Sequence, residues 1–185
     1  MKISNNSKGI HSDDIDLSKA AVFGGLSKDK LAKIMAIMVV KHFPAVQLVF
    51  KEGEVGNSIY VLLEGEVEVS KSLVLPSFAH TGPAVRAGVD PRDKSLVKLT
   101  AEDFPFFGEM SLFDKESARG ASVRTVTSCK FAIVDSAEFI KLAEADHEIG
   151  YRTFLNIAKV LSDRLNKTNS DLMKVTTALG IALER

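Results

Sequence analysis

From about Asp146 to Leu183 the chain runs without a proline, and Tyr151, Phe154, Ala158, Leu161, Leu165, Thr168, Leu172, Val175, Leu179 and Ala182 recur at alternating spacings of three and four. That spacing is the a/d stripe of a heptad repeat. A single helix over this stretch would be roughly 50 Å long at 1.5 Å per residue. That is longer than the small barrel the preceding residues could form, and the stripe either packs on that barrel or pairs with another helix. An ordinary surface helix needs no strict 3.5-residue repeat carried so far. The stripe therefore predicts that residues 146–185 pair two copies into a homodimer. Thr168 is the one polar residue on the central seam. A lone polar residue there either fixes register or lies beside something polar held between the helices.

The residues before this helix follow other periods. Met1 to about Lys19 is polar (NNSKG, HSDDID) and reads as a loose arm. Ser27 is placed to cap a short amphipathic helix through KDKLAKIMAIMVV, with Leu31, Ile34, Met35 and Met38 at helical spacing. After Phe43-Pro44 the pattern turns to period two and to β-branched runs: VQLVF, SIYVLLEG and EVEVS, then KSLVKLT, ASVRTV and CKFAIVD, with Gly53, Gly56 and Gly65 as turn glycines. Many short strands joined by glycine turns predict a barrel or sandwich across residues 20–145. Leu73 to Lys94 carries Pro76, Pro83, Pro91, Gly82 and Gly88, and reads as a long loop or an irregular hairpin extension.

Charge and composition narrow the partners. The chain has 24 Lys+Arg against 24 Asp+Glu, so no overall basic field draws it to nucleic acid or to an anionic membrane. The longest apolar run, Leu31 to Val40, is too short to span a bilayer, and the N-terminus lacks a signal pattern. The single cysteine, Cys129, can form no internal disulfide and fits a packed strand position in a cytoplasmic protein. His11, His42, His80 and His147 are scattered, and no paired carboxylates, Ser/His/Asp set or metal cluster is recognisable, so no enzyme is expected. No metal or cofactor is expected either.

Phe106-Phe107-Gly108-Glu109-Met110-Ser111-Leu112, followed by Arg119-Gly120-Ala121-Ser122-Val123, has the parts of an anion pocket. A ribose cyclic phosphate carries one negative charge on two oxygens, which a guanidinium fork such as that of Arg119 matches in charge and shape. Backbone N–H groups beside small residues, at Gly120, Ala121 and after Glu109, would complete the cradle. Glu109 would accept from a ribose 2′-hydroxyl, with Gly108 relieving crowding beside it. The base would meet apolar walls. On spacing alone, a Glu and an Arg ten residues apart are also a common surface pair.

FKEGEVGNSIYVLLEGEVEV and FFGEMSLFDKESARGASVRTVTSCKFAIVD resemble the cyclic nucleotide-binding domain family, whose members read F-x-E-G-x-x-G-x-x-x-Y-x-[IL]-x-x-G-x-[VL] and then F-G-E-x-[AGS]-L through a loop to R-[ASTG]-A-[ST]-V. The resemblance starts at Phe23-Gly24-Gly25-Leu26. It implies a mainly β fold with flanking helices (α+β): a double-stranded β-helix, or jelly-roll, barrel with a short N-terminal helix and a long C-terminal dimerisation helix. It implies a cyclic nucleotide as ligand, cAMP first and cGMP second, held by Gly108, Glu109, Met110, Ser111, Arg119, Gly120 and Ala121. Arg164-Leu165-Asn166-Lys167-Thr168-Asn169 is similar to the stretch where bacterial members place a threonine and a serine against adenine, one from each subunit. Thr168 stands for the threonine and Asn169 for the serine. Gly120 stands where many bacterial members keep a Ser or Thr, which leans toward adenine. Three outputs stay open: a regulatory sensor acting on a protein partner, the sensor half of a transcription regulator, and a ligand-free dimerisation scaffold.

Overall fold

The computed structural model describes residues 16–76, 89–113 and 118–183. Helix α1 spans Lys28–Ala36, followed by strands β1 (Met38–Phe43), β2 (Leu48–Phe50), β3 (Ser58–Glu64), β4 (Glu66–Pro76), β5 (Val89–Thr100), β6 (Phe106–Phe107), β7 (Ser122–Thr125) and β8 (Cys129–Asp135), and helices α2 (Ser136–Ala145) and α3 (His147–Leu183). The strands form two four-stranded sheets in the orders β1-β8-β3-β6 and β2-β7-β4-β5. Every pairing is antiparallel. This is the mainly β, jelly-roll architecture with flanking helices that the resemblance implied.

Period-two alternation explains how one sheet serves two cores. On β3, Ile59, Val61 and Leu63 join a cluster with Leu31, Ile34, Phe139, Ile149 and Ile157 of the helices, while Leu62 turns to Val67, Val123 and Phe131 between the sheets. The neighbours Phe106 and Phe107 divide in the same way, one into each cluster. A strand buried on both faces reads as a near-continuous apolar run, which is why SIYVLL carries no polar face.

Two expectations change and one is narrowed. The helical run was expected to reach Val40, but α1 ends at Ala36 and Met38–Val40 pair with Val134–Ala132 of β8. Val39 and Val40 are β-branched and gain more from a sheet than from another helical turn. Ser27 sits at the N-cap but makes no capping bond; its hydroxyl donates to the Asp29 carboxylate. At Leu73–Lys94 the hairpin form of the reading holds as far as Pro76↔Val89, with Val74 opposite Pro91; residues 77–88 lie outside the described residues. β7 accompanies β4 only from Val67 to Ser70, so beyond Ser70 β4 and β5 continue as a two-stranded ribbon among the described residues, and prolines are found in strands mainly at such edges.

The polar arm is described only from Asp16. Leu17 is already core, at 2% exposure, beside Ala20, Val22 and Phe23. Asn156 on α3 holds this N-terminal segment by donating to the carbonyls of Val22 (3.3 Å) and Gly24 (2.9 Å). Helix α3 has 37 residues, about 55 Å. Its first turns bury Ile149, Gly150, Thr153 and Ile157 against the fold. Gly150 lets α2 and α3 approach closely there, because a Cβ would lie 3.0 Å from the carbonyl oxygen of Ala143 on α2. No described helix is long and apolar enough to cross a membrane.

Candidate functional site

Gly108 ends β6 in a left-handed conformation, φ 84°, and starts the 3-10 turn Glu109–Leu112. A side chain at Gly108 would meet Nη1 of Arg119 and the carbonyl oxygen of Ser58, each 2.6 Å from its Cβ. Only glycine allows both the φ and the approach. The backbone of Arg119 is fixed by the turn after β2: its N–H donates to Glu54 O at 2.8 Å, and its carbonyl accepts from Gly53 N at 2.8 Å. The guanidinium donates from Nη2 to Ser58 O (2.9 Å) and from Nη1 to Gly108 O (3.3 Å), and lies over the Phe50 ring, 4.5 Å from its centroid.

Arg119 is 8% exposed. Among the described residues no carboxylate lies within ion-pair distance of it. Burial pulls its pKa below the usual arginine value, with Tyr60, Glu109 and Glu54 acting weakly in the opposite sense. The group remains a cation. A buried cation met, among the described residues, by neutral carbonyls and ring faces is arranged to receive an anion.

Glu109 is 7% exposed, and its Oε1 accepts from Arg164 Nη1 on α3 at 3.3 Å. Arg164 also donates from Nη2 to Phe106 O at 2.8 Å and packs over the Phe106 ring. One side chain therefore ties α3 to both β6 and the turn that follows it.

Gly108, Glu109, Met110, Ser111, Arg119, Gly120, Ala121 and Thr168 surround one cleft of about 690 Å³ between the second sheet and α3. That volume lies within the usual range for small-molecule sites. Asn169 does not line it. The Ser111 hydroxyl is turned inward, donating to Gly108 O at 2.8 Å and lying 2.6 Å from the Ser136 hydroxyl at the start of α2. The Thr168 hydroxyl donates to Arg164 O in its own helix at 2.9 Å. Gly120 faces open space, so a larger residue would fit there. Leu96, Val97 and Leu99 of β5 form an apolar wall, with Phe50 on the arginine side and Arg164, Lys167 and Asp171 on the helix side.

Phe50 and Arg164 were not singled out from sequence. Arg164 lies one turn before Thr168, and that i, i+4 relation was a usable signal. Phe50 opens the FKEG block that carries the family resemblance, but nothing in the sequence placed its ring beside Arg119. Cys129 is buried, its thiol pushed up by burial, with Sγ 3.2 Å from Glu66 O; it is a packed core group.

The Cyclic nucleotide-binding domain family matches residues 40–146, more than half of the chain, and its span includes the whole Gly108–Ala121 cradle. The chain belongs to that family. This cyclic nucleotide-binding domain is 26% identical over 156 residues to the CRP-like cAMP-activated global transcriptional regulator of Mycobacterium tuberculosis, covering 84% of the chain and 60% of the regulator. It is 29% identical over 126 residues to the cAMP-dependent protein kinase regulatory subunit of Schizosaccharomyces pombe, covering 68% of the chain and 25% of the subunit. In fold it is similar to the Thermus thermophilus catabolite activator protein, with a TM-score of 0.66 at 21% identity over 85% of this chain and 63% of that one. The domain thus spans less than two thirds of the length of these relatives.

Proposed function

We propose that the domain is a sensor for cAMP, acts by binding rather than by turnover, and works as a homodimer joined through α3. The observation that carries the reading is Arg119, a buried cation with neutral partners at the wall of a cleft that also holds Glu109 and Thr168. In this reading Arg119 pairs with the cyclic phosphate, and backbone N–H groups after Glu109 and at Gly120 and Ala121 complete its cradle. Glu109 accepts from the ribose 2′-hydroxyl with its carboxylate steadied by Arg164. The base lies against Val97 and Leu99. No histidine or cysteine is among the described residues lining the cleft, which suits binding.

The Thr168 hydroxyl spends its proton on Arg164 O, so toward the cleft it can only accept. Adenine offers an amino group for that bond, whereas guanine presents a carbonyl at the same ring position. This favours cAMP over cGMP. The homodimer is supported by the seam itself: Leu165, Leu172, Val175 and Leu179 are 57–64% exposed in the single chain, and two copies would cover them. Thr168 lies on the seam and at the cleft, which would bring Asn169 of one copy toward the site of the other. Similarity to cAMP-activated transcription regulators favours a regulator's sensor half as the output, in the soluble phase of the cell.

Calorimetric titration of the purified chain with cAMP, cGMP and a cyclic dinucleotide tests the reading. Binding of cAMP in preference to the others is expected; heat only from the dinucleotide would contradict it.

A further inference from the structure

Phe50 sits at the end of β2, half-buried, with no apparent duty beyond the core between the sheets. Its surroundings show more. The Arg119 guanidinium carbon lies 4.5 Å from the Phe50 ring centroid and 5.7 Å from that of Tyr60. Glycine backbone closes on the group from other sides: a Cβ at Gly56 would be 2.5 Å from Nε and 2.6 Å from Nη2, and one at Gly108 would be 2.6 Å from Nη1. The ring is itself fixed. Tyr60 and Phe107 stack at 5.6 Å with an interplanar angle of 10°, and Phe50 tilts against both at 5.5 and 5.9 Å.

We infer that Phe50 is a positioning residue of the anion site, a platform that holds the Arg119 guanidinium in one plane so that its remaining N–H groups face the cleft. The inference rests on the cyclic nucleotide reading of the site. A ring face attracts a cation through its quadrupole without neutralising it. A carboxylate in the same place would hold Arg119 equally well but would compete with the phosphate. An aliphatic side chain would exclude water but offer the guanidinium no flat face, leaving its plane to the two carbonyl bonds alone. The aromatic platform meets both needs: it steadies the group and leaves a full positive charge for the ligand. Two of the five guanidinium N–H groups are already fixed by the carbonyls of Ser58 and Gly108. The fork therefore presents a defined edge, and the two exocyclic oxygens of a cyclic phosphate meet it inequivalently.

That inequivalence gives the test. In the two phosphorothioate diastereomers of cAMP, sulfur replaces one or the other exocyclic oxygen, so the ratio of their affinities reports how the fork is oriented. Wild type, Phe50→Leu and Phe50→Tyr are titrated with cAMP and with each diastereomer, and the free proteins are melted. Wild type is expected to separate the diastereomers. Phe50→Leu should bind cAMP weaker by roughly tenfold with the diastereomer ratio falling toward one, and Phe50→Tyr should restore both. A loss of fold stability alone would not move that ratio. If Phe50→Leu does not fold, Phe50→Met, closer in volume, carries the same expectation. An unchanged ratio in a folded Leu or Met variant, or a Tyr variant as impaired as Leu, overturns the role of Phe50 and leaves the cyclic nucleotide reading standing. A wild-type chain that binds none of these ligands overturns both.

Discussion

Val46 adopts φ 61° in the turn between β1 and β2, and its N–H donates to Thr125 O at 2.9 Å. A β-branched residue in the left-handed region is strained, at about 1–3 kcal/mol. Val46 is 69% exposed, so its side chain returns little by burial. Val46→Gly is therefore expected to stabilise the domain by about 1 kcal/mol, which raises the melting temperature by a few degrees for a chain of this size; an unchanged or lower melting temperature would contradict the strain. Thr168 gives a second residue-scale prediction. Thr168→Val keeps shape and removes the acceptor, so cAMP affinity should fall by about 1 kcal/mol while dimerisation holds or improves. Equal affinity in the valine variant would leave register as the hydroxyl's only role. Glu109 and Arg119 were legible in the sequence because one short local block contains both. The contacts of Phe50 with Arg119 and of Arg164 with Glu109 were not, because they join residues that only the fold brings together: Arg164 reaches Glu109 across 55 positions.

At the scale of elements, the joint between α2 and α3 is held from outside. Asp146 takes hydrogen bonds at 2.7 Å from Lys30 and from Lys33, both on α1. These bonds hold its carboxyl well below the usual carboxylate range, and the bond to Asp146 raises the Lys30 pKa. The sign follows from linkage. A carboxyl depressed in the folded state contributes stability above its unfolded value, about 3.9, and loses it as pH falls through the folded value. Asp146→Asn should therefore melt below wild type at neutral pH, and the gap should narrow as pH drops below about 4. A gap that persists unchanged at low pH would assign the loss to packing. Strand identities were legible because β-branched runs and turn glycines are local signals. The end of α1 was not, because Met38 fits a helical stripe and only pairing with β8 pulls it into a strand. Prolines at 76 and 91 read as loop because proline is a local turn signal, whereas the pairing of β4 with β5 that carries them is set by residues far apart in the chain.

At the scale of the molecule, the long helix was visible from its seam, whereas the division of one sheet between two cores appeared only in the structure. A stripe exposed over several turns also predicts assembly. Leu165→Lys with Leu172→Lys should place like charges across the seam and yield monomers by light scattering; a monomeric wild type at micromolar concentration would refute the dimer. Seam and cleft meet at Thr168, so occupancy of the one has a short route to the packing of the other. The cyclic nucleotide reading of the cleft depends on the buried Arg119 guanidinium holding the ligand's phosphate. Calorimetry with cAMP on wild type and Arg119→Ala tests that claim most directly. Wild type is expected to bind and the variant to lose about 2–5 kcal/mol while still folded by thermal melt; an Arg119→Ala protein that binds cAMP as tightly as wild type would contradict the role of the guanidinium.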